Sequence, residues 1–202
     1  MKKMLLTSDG ISYRKIMKEA KKLLIKPSDE IKVLIMYALM KKKNLKYLIK
    51  IRKQLKNLGI KKKNIFYVNI SNNIKPPKQD FDIIYSCGGN TFYILDRLRK
   101  TGFYKFIKNF VNKGGFYIGV SAGSIIVHKT IELAGYGSEG DINEINLKNL
   151  DGLNLINIGI FPHYHIALKK EINEFRKNVN YPVKELKDGQ ALLILGNKVR
   201  KI

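Results

Sequence analysis

Ser121 sits in the pentapeptide Gly119-Val120-Ser121-Ala122-Gly123, after the apolar run "FYIGV" and before the apolar "SIIVHK". In the pattern G-x-S-x-G a serine can occupy a strained turn between strand and helix, because the flanking glycines carry no Cβ to clash. The chemistry open to a hydroxyl held that way is attack on a carbonyl carbon. A serine needs a base for this, and a histidine oriented by a carboxylate is the usual one. The same short pattern also fits a plain helix N-cap, since serine satisfies the free amides that open a helix.

The chain has three histidines. His128 follows Ser121 by about two helical turns and reads as structural or exposed. His163 and His165 follow the run "INIGIF" at 156–161, at the expected C-terminal end of a strand, where open α/β sheets place their sites. Pro162 sets the turn, and alternation puts both histidines on one side of an extended chain. A second feature lies in "SCGGNTF" at 86–92. A Gly-Gly pair between strand and helix exposes amides that could form an oxyanion hole with the amide of Ala122, or could cradle a phosphate. No Walker lysine pattern and no G-x-G-x-x-G is present, so a nucleotide site lacks its motif.

Positioning these groups takes a sheet, and the hydrophobic pattern supplies one. Strand-length apolar runs alternate with helical periods, the pattern of an α/β protein with a mainly parallel sheet. Strands are expected at "KMLLTS", at 32–38, 64–70 and 82–86, at "GGFYIGV" and at 156–161. Ile16, Met17, Ala20, Leu23 and Leu24 share one helical face up to Pro27. A second helix starts near Asn44 and ends at Gly59, and a third follows "GGNTF" and breaks at Gly102. Phe106, Ile107, Phe110 and Val111 mark a short fourth. After residue 130 the period fades into an irregular stretch. A helix over "ALKKEINEFRK" and a terminal hairpin turning at Gly196 and Asn197 complete the chain.

Composition bounds the rest. At 202 residues, 45% of them hydrophobic, a single domain over 1–202 is expected. The formal net charge of +23 comes largely from dispersed lysine, including the runs at 41–43 and 61–63. A solvated surface explains it, while binding of nucleic acid or another polyanion by a catalytically silent module is the alternative function. Cys87 is the only cysteine, which excludes an intrachain disulfide and fits a reducing compartment. The opening "MKKMLLTSDG" is too short in apolar residues for a signal peptide, and no run reaches the ~18 apolar residues of a membrane span. A soluble, cytoplasmic protein is expected, monomeric or dimeric.

Three ordered motifs, "IIYSCGGNTFYIL", "GGFYIGVSAGS" and "LNLINIGIFPHY", carry a resemblance to the aspartyl dipeptidase (dipeptidase E) family of serine peptidases, whose relatives include cyanophycinase. The resemblance implies a three-layer α/β/α sandwich of the class I glutamine amidotransferase type, with serine in place of their cysteine. It implies Ser121 as nucleophile, His163 as base, and Gly89 and Ala122 as the oxyanion amides. For the acid it points to Asp141, with Glu139 as the cyanophycinase-like alternative and Glu132 as a third. No metal or organic cofactor is implied. The substrate implied is a small, acidic peptide such as Asp-X, with Asn90 and Lys170 as candidate contacts. The dipeptidases use an arginine soon after the histidine, where this chain has Lys169 and Lys170, with Arg176 the first arginine beyond them. A lysine lacks the bidentate fork, which puts strict aspartate selectivity in doubt.

Overall fold

A computed structural model describes residues 1–39 and 46–202; the lysine run at 41–43 and the expected helix start near Asn44 lie outside them. Seven strands form one sheet: β1 (Lys3–Thr7), β2 (Val33–Tyr37), β3 (Ile65–Asn69), β4 (Ile83–Ser86), β5 (Phe116–Val120), β8 (Ala191–Leu195) and β9 (Lys198–Lys201). Their spatial order is β3-β2-β4-β5-β1-β8-β9. The first five are parallel, while β8 runs antiparallel to β1 and β9 antiparallel to β8. The terminal hairpin is therefore the sheet's antiparallel edge.

Alternation along each strand feeds two cores. Met4, Leu6, Leu34, Met36, Ile84 and Tyr117 face α3 (Thr91–Thr101), α4 (Phe103–Asn112) and α5 (Ala122–Ile125). Leu5, Val33, Ile35, Ile83 and Ile118 face α1 (Arg14–Lys22) and α2 (Lys46–Asn57). This is the three-layer arrangement. Each fully buried Leu, Ile or Val contributes about 1.5–3 kcal/mol of burial. Strands buried on both faces read as continuous apolar runs, which is why they were legible. Gly102, at φ 87, ends α3 in the left-handed conformation and lets α4 start at once.

Two expectations are corrected. The histidine-bearing strand is not in the main sheet. It shrinks to β6 (Gly159–Phe161), which pairs in parallel with β7 (Val183–Glu185) as a separate two-stranded sheet. The residues before it are claimed elsewhere: Leu153 donates to the Ile126 carbonyl, and Leu155 and Ile156 to that of Val127. The helix after Ser121 is only four residues long, so His128 does not ride on it. His128 is buried beside Tyr181, with Nδ1 3.0 Å from the Thr130 carbonyl. Around β6 and β7 packs α6 (Lys169–Lys177), through Ile172 and Phe175 onto Leu133, Leu168 and Val183. Among the described residues no helix is long and apolar enough to cross a membrane.

Candidate active site

The end of β1 is where the site is assembled. The Thr7 carbonyl accepts the amide of Ser121 at 3.0 Å and the hydroxyl of Ser124 at 2.8 Å, tying the turn after β5 to its neighbouring strand. Ser121 itself has φ 52 and ψ −116, a conformation costly for a residue with a side chain and sustained only when the surroundings impose it. The two motif glycines serve close approach. A Cβ at Gly119 would strike the Gly123 carbonyl, and one at Gly123 would strike the carbonyl of Ser86 on β4. Gly88 is close-packed too, though less severely, since a Cβ there would stand 3.0 Å from that of Ser121.

His163 arrives from the turn after β6. Its own φ of 54 breaks the extension assumed from sequence, and the two histidines diverge: His163 Nε2 lies 3.0 Å from Ser121 Oγ, whereas His165 Nε2 lies 2.9 Å from Glu139 Oε1. The other ring nitrogen of His163, Nδ1, lies 2.8 Å from Asp188 Oδ1. A carboxylate only accepts, so this contact places the ring proton on Nδ1 and leaves Nε2 free to accept from the Ser121 hydroxyl.

The carboxylate beside His163 is thus Asp188, and the expectation of Asp141 is corrected. Asp141 Oδ2 accepts from the Thr91 amide at 2.8 Å and from the Thr91 hydroxyl at 2.6 Å, which anchors the first turn of α3. Glu139 is engaged by His165, and Glu132 belongs to a short 3₁₀ turn and lines a separate groove. The reason is strand direction. Because β8 opposes β1, with Ala191 facing Thr7, the residues just before β8 are delivered to the C-terminal edge of the parallel strands. Asp188 sits there, in "KDGQ", and an acidic residue in a turn before an antiparallel edge strand is the one signal that could have revealed it.

Burial by itself raises the Asp188 carboxyl. Hydrogen bonds from Ser8 and His163, with the charges of His163 and Lys50, outweigh it and hold the group below its ordinary value. A carboxylate depressed in the folded state adds stability above its unfolded pKa of ~3.9, and that stability drains as pH falls through the lower folded value. Asp188→Asn should therefore be destabilised relative to the parent at neutral pH by an amount that shrinks below about pH 4. Thermal melts from about pH 2.5 to 7 check this; a gap that widens on acidification would contradict it.

The remaining predicted residues divide. Gly89, at φ 141, lines a cleft of about 420 Å³ with Gly88, Ser121, His163, Tyr47, Lys50 and Gln54. The Ala122 amide opens α5, where helix N–H groups have no intrahelical acceptor. Asn90 turns inward: Oδ1 accepts the Tyr93 amide at 3.0 Å and Nδ2 donates to the Ile142 carbonyl at 2.7 Å, so it caps α3. Lys170 is exposed in the first turn of α6 and lines neither cleft beside Ser121. The second cleft, about 90 Å³, lies across Ser121 and His163 and is walled by Glu139, Asp141, Ile125, Phe161 and Leu168. Cys87 borders the larger cleft, but complete burial pushes its thiol well up and removes it as a rival nucleophile.

A groove of about 1380 Å³ lies apart from Ser121 and His163, lined by Lys108, Lys129, Lys148 and Lys177 with Tyr104 and Tyr181.

The model of Peptidase family S51 matches residues 4–202. An uncharacterized peptidase of Listeria monocytogenes, Lmo0363, is 35% identical over 124 residues, covering 58% of each chain. The Peptidase E of Nostoc sp. is 32% identical over 122 residues, 60% of this chain and 47% of the relative. The alignments thus span about half the length of these curated relatives. A Listeria monocytogenes EGD-e crystal structure, provisionally named a peptidase E protein, superposes with TM-score 0.79 at 25% identity, covering 100% of this chain and 98% of that one. The family match runs over nearly the whole chain and includes the serine turn, the histidine turn and the Asp188 turn, so the protein belongs to Peptidase family S51.

Proposed function

We propose that this protein is a serine peptidase that cleaves short peptides through an acyl-enzyme. The single observation that carries this is the Ser121–His163–Asp188 chain of contacts, at 3.0 and 2.8 Å, on a serine held in a strained turn. Ser121 Oγ attacks the scissile carbonyl carbon while its proton passes to His163 Nε2. The amides of Gly89 and Ala122 hold the oxyanion, and Asp188 steadies the imidazolium. His163 then protonates the leaving amine as the C–N bond breaks. Water, deprotonated by the same imidazole, attacks the ester and releases the acid and the free Ser121.

Size favours a small substrate. The clefts on the two sides of Ser121 and His163, about 90 and 420 Å³, suit a short peptide. An Asp-X dipeptide is the first substrate to try. Strict aspartate selectivity is not supported, because no arginine lines either cleft among the described residues, and Arg176 is committed to the Val183 carbonyl and Glu185. The test is a fluorophosphonate probe followed by mapping of the modified residue. Ser121 is the expected site, with fluoride leaving as the Oγ–P bond forms. Modification elsewhere, or none, would remove the proposal.

A further inference from the structure

We propose that Ser8 is a positioning residue that sets the geometry of His163 and Asp188; this rests on the serine peptidase reading above. Ser8 follows β1 directly and is fully buried. Its hydroxyl donates to Asp188 Oδ1 at 2.6 Å and accepts the main-chain amide of His163 at 2.8 Å. One hydroxyl thereby uses its proton on the carboxylate and a lone pair on the backbone of the base. The same oxygen lies 3.3 Å from His163 Nδ1, so it forms the third corner of a triangle with that nitrogen and Asp188 Oδ1.

Both partners need such a tether. His163 holds a positive φ without being glycine, a conformation that its surroundings must impose. Asp188 lies in a turn with its side chain about half exposed, so packing alone does not fix it. The neighbouring residue adds a second tie to the same turn, as Asp9 Oδ1 accepts the Gly189 amide at 3.0 Å. Thr7 holds the serine turn through its carbonyl. Three consecutive residues therefore anchor all three turns of the site, and only Ser8 bonds to two of them through one side-chain atom.

The experiment measures phosphonylation of Ser121 by a fluorophosphonate probe in the full chain, resolved into the inactivation rate and the apparent binding constant. Four proteins are compared: the parent, Ser8→Ala, Asp188→Asn and the double variant. Ser8→Ala should slow inactivation about 10- to 100-fold, as loss of an orienting outer-shell partner does elsewhere, with the binding constant unchanged. In the Asp188→Asn background the same substitution should cost clearly less, about tenfold at most, because the carboxylate half of its role is already gone and only the tie to the His163 amide remains to be lost. A parent that is never modified at Ser121 would bring down the peptidase reading and this proposal together. A parent that is modified, with Ser8→Ala equally fast, would overturn the role of Ser8 alone. So would an equal loss in both backgrounds, which is the behaviour of a residue that only supports the fold.

Discussion

Ser121→Ala is expected to lower peptide hydrolysis by about 10⁴-fold or more, into the residual rate that binding and oxyanion amides sustain alone. The size follows from the chemistry. The substitution removes the only atom that forms the acyl bond, while His163, Asp188 and the amides at Gly89 and Ala122 stay in place. It should leave stability within about 1 kcal/mol of the parent, since the Cβ and its steric demands in the φ 52 turn are retained. Progress curves on an Asp-X dipeptide, set beside thermal melts of the same preparations, provide the check. Turnover undiminished in a folded Ser121→Ala protein would exclude the proposed mechanism.

The second large effect separates Asp188, which the sequence reading did not consider, from Asp141, which it expected as the acid. Asp188→Asn should cost about 10²- to 10⁴-fold in kcat, because an asparagine amide can donate to Nδ1 of His163 and favour the tautomer with the proton on Nε2. That tautomer cannot take the Ser121 proton. Asp141→Ala should act on stability instead. It removes the acceptor for the Thr91 amide and hydroxyl, a capping loss of about 1–2 kcal/mol. Its catalytic effect should fall on KM, since Asp141 walls the small cleft. Steady-state kinetics and urea melts on both variants distinguish the roles. A silent Asp188→Asn paired with an inactive Asp141→Ala would restore Asp141 as the acid.

Ser121 was readable because a nucleophile turn is local. Strand, small residues and helix start are contiguous, and the two glycines are needed where Gly119 meets Gly123 and Gly123 meets Ser86. His163 was readable for a similar reason, standing directly after an apolar run and a proline, although the run belongs to a minor sheet rather than the main one. Gly89 and Ala122 stand after β4 and β5, the places that their proposed role as oxyanion amides requires. At Asn90 an N-cap and a ligand-binding amide look alike in sequence, and the structure adds the cap, with Oδ1 accepting the Tyr93 amide.

What the amino-acid order determined by itself was the α/β layering, together with the hydroxyl and the imidazole that the structure brings within 3.0 Å of each other. Each is written in residues close together along the chain, as periodicity or as a turn. The tertiary structure alone decided which carboxylate lies beside His163. Asp188 and Ser8 are separated by 180 positions, and nothing local relates them. They meet because β8 lies antiparallel against β1, which reverses the end of the strand presented to the catalytic edge. Strand direction is settled by how the sheet closes its hydrogen bonds, a property of the folded whole that no short stretch of sequence contains.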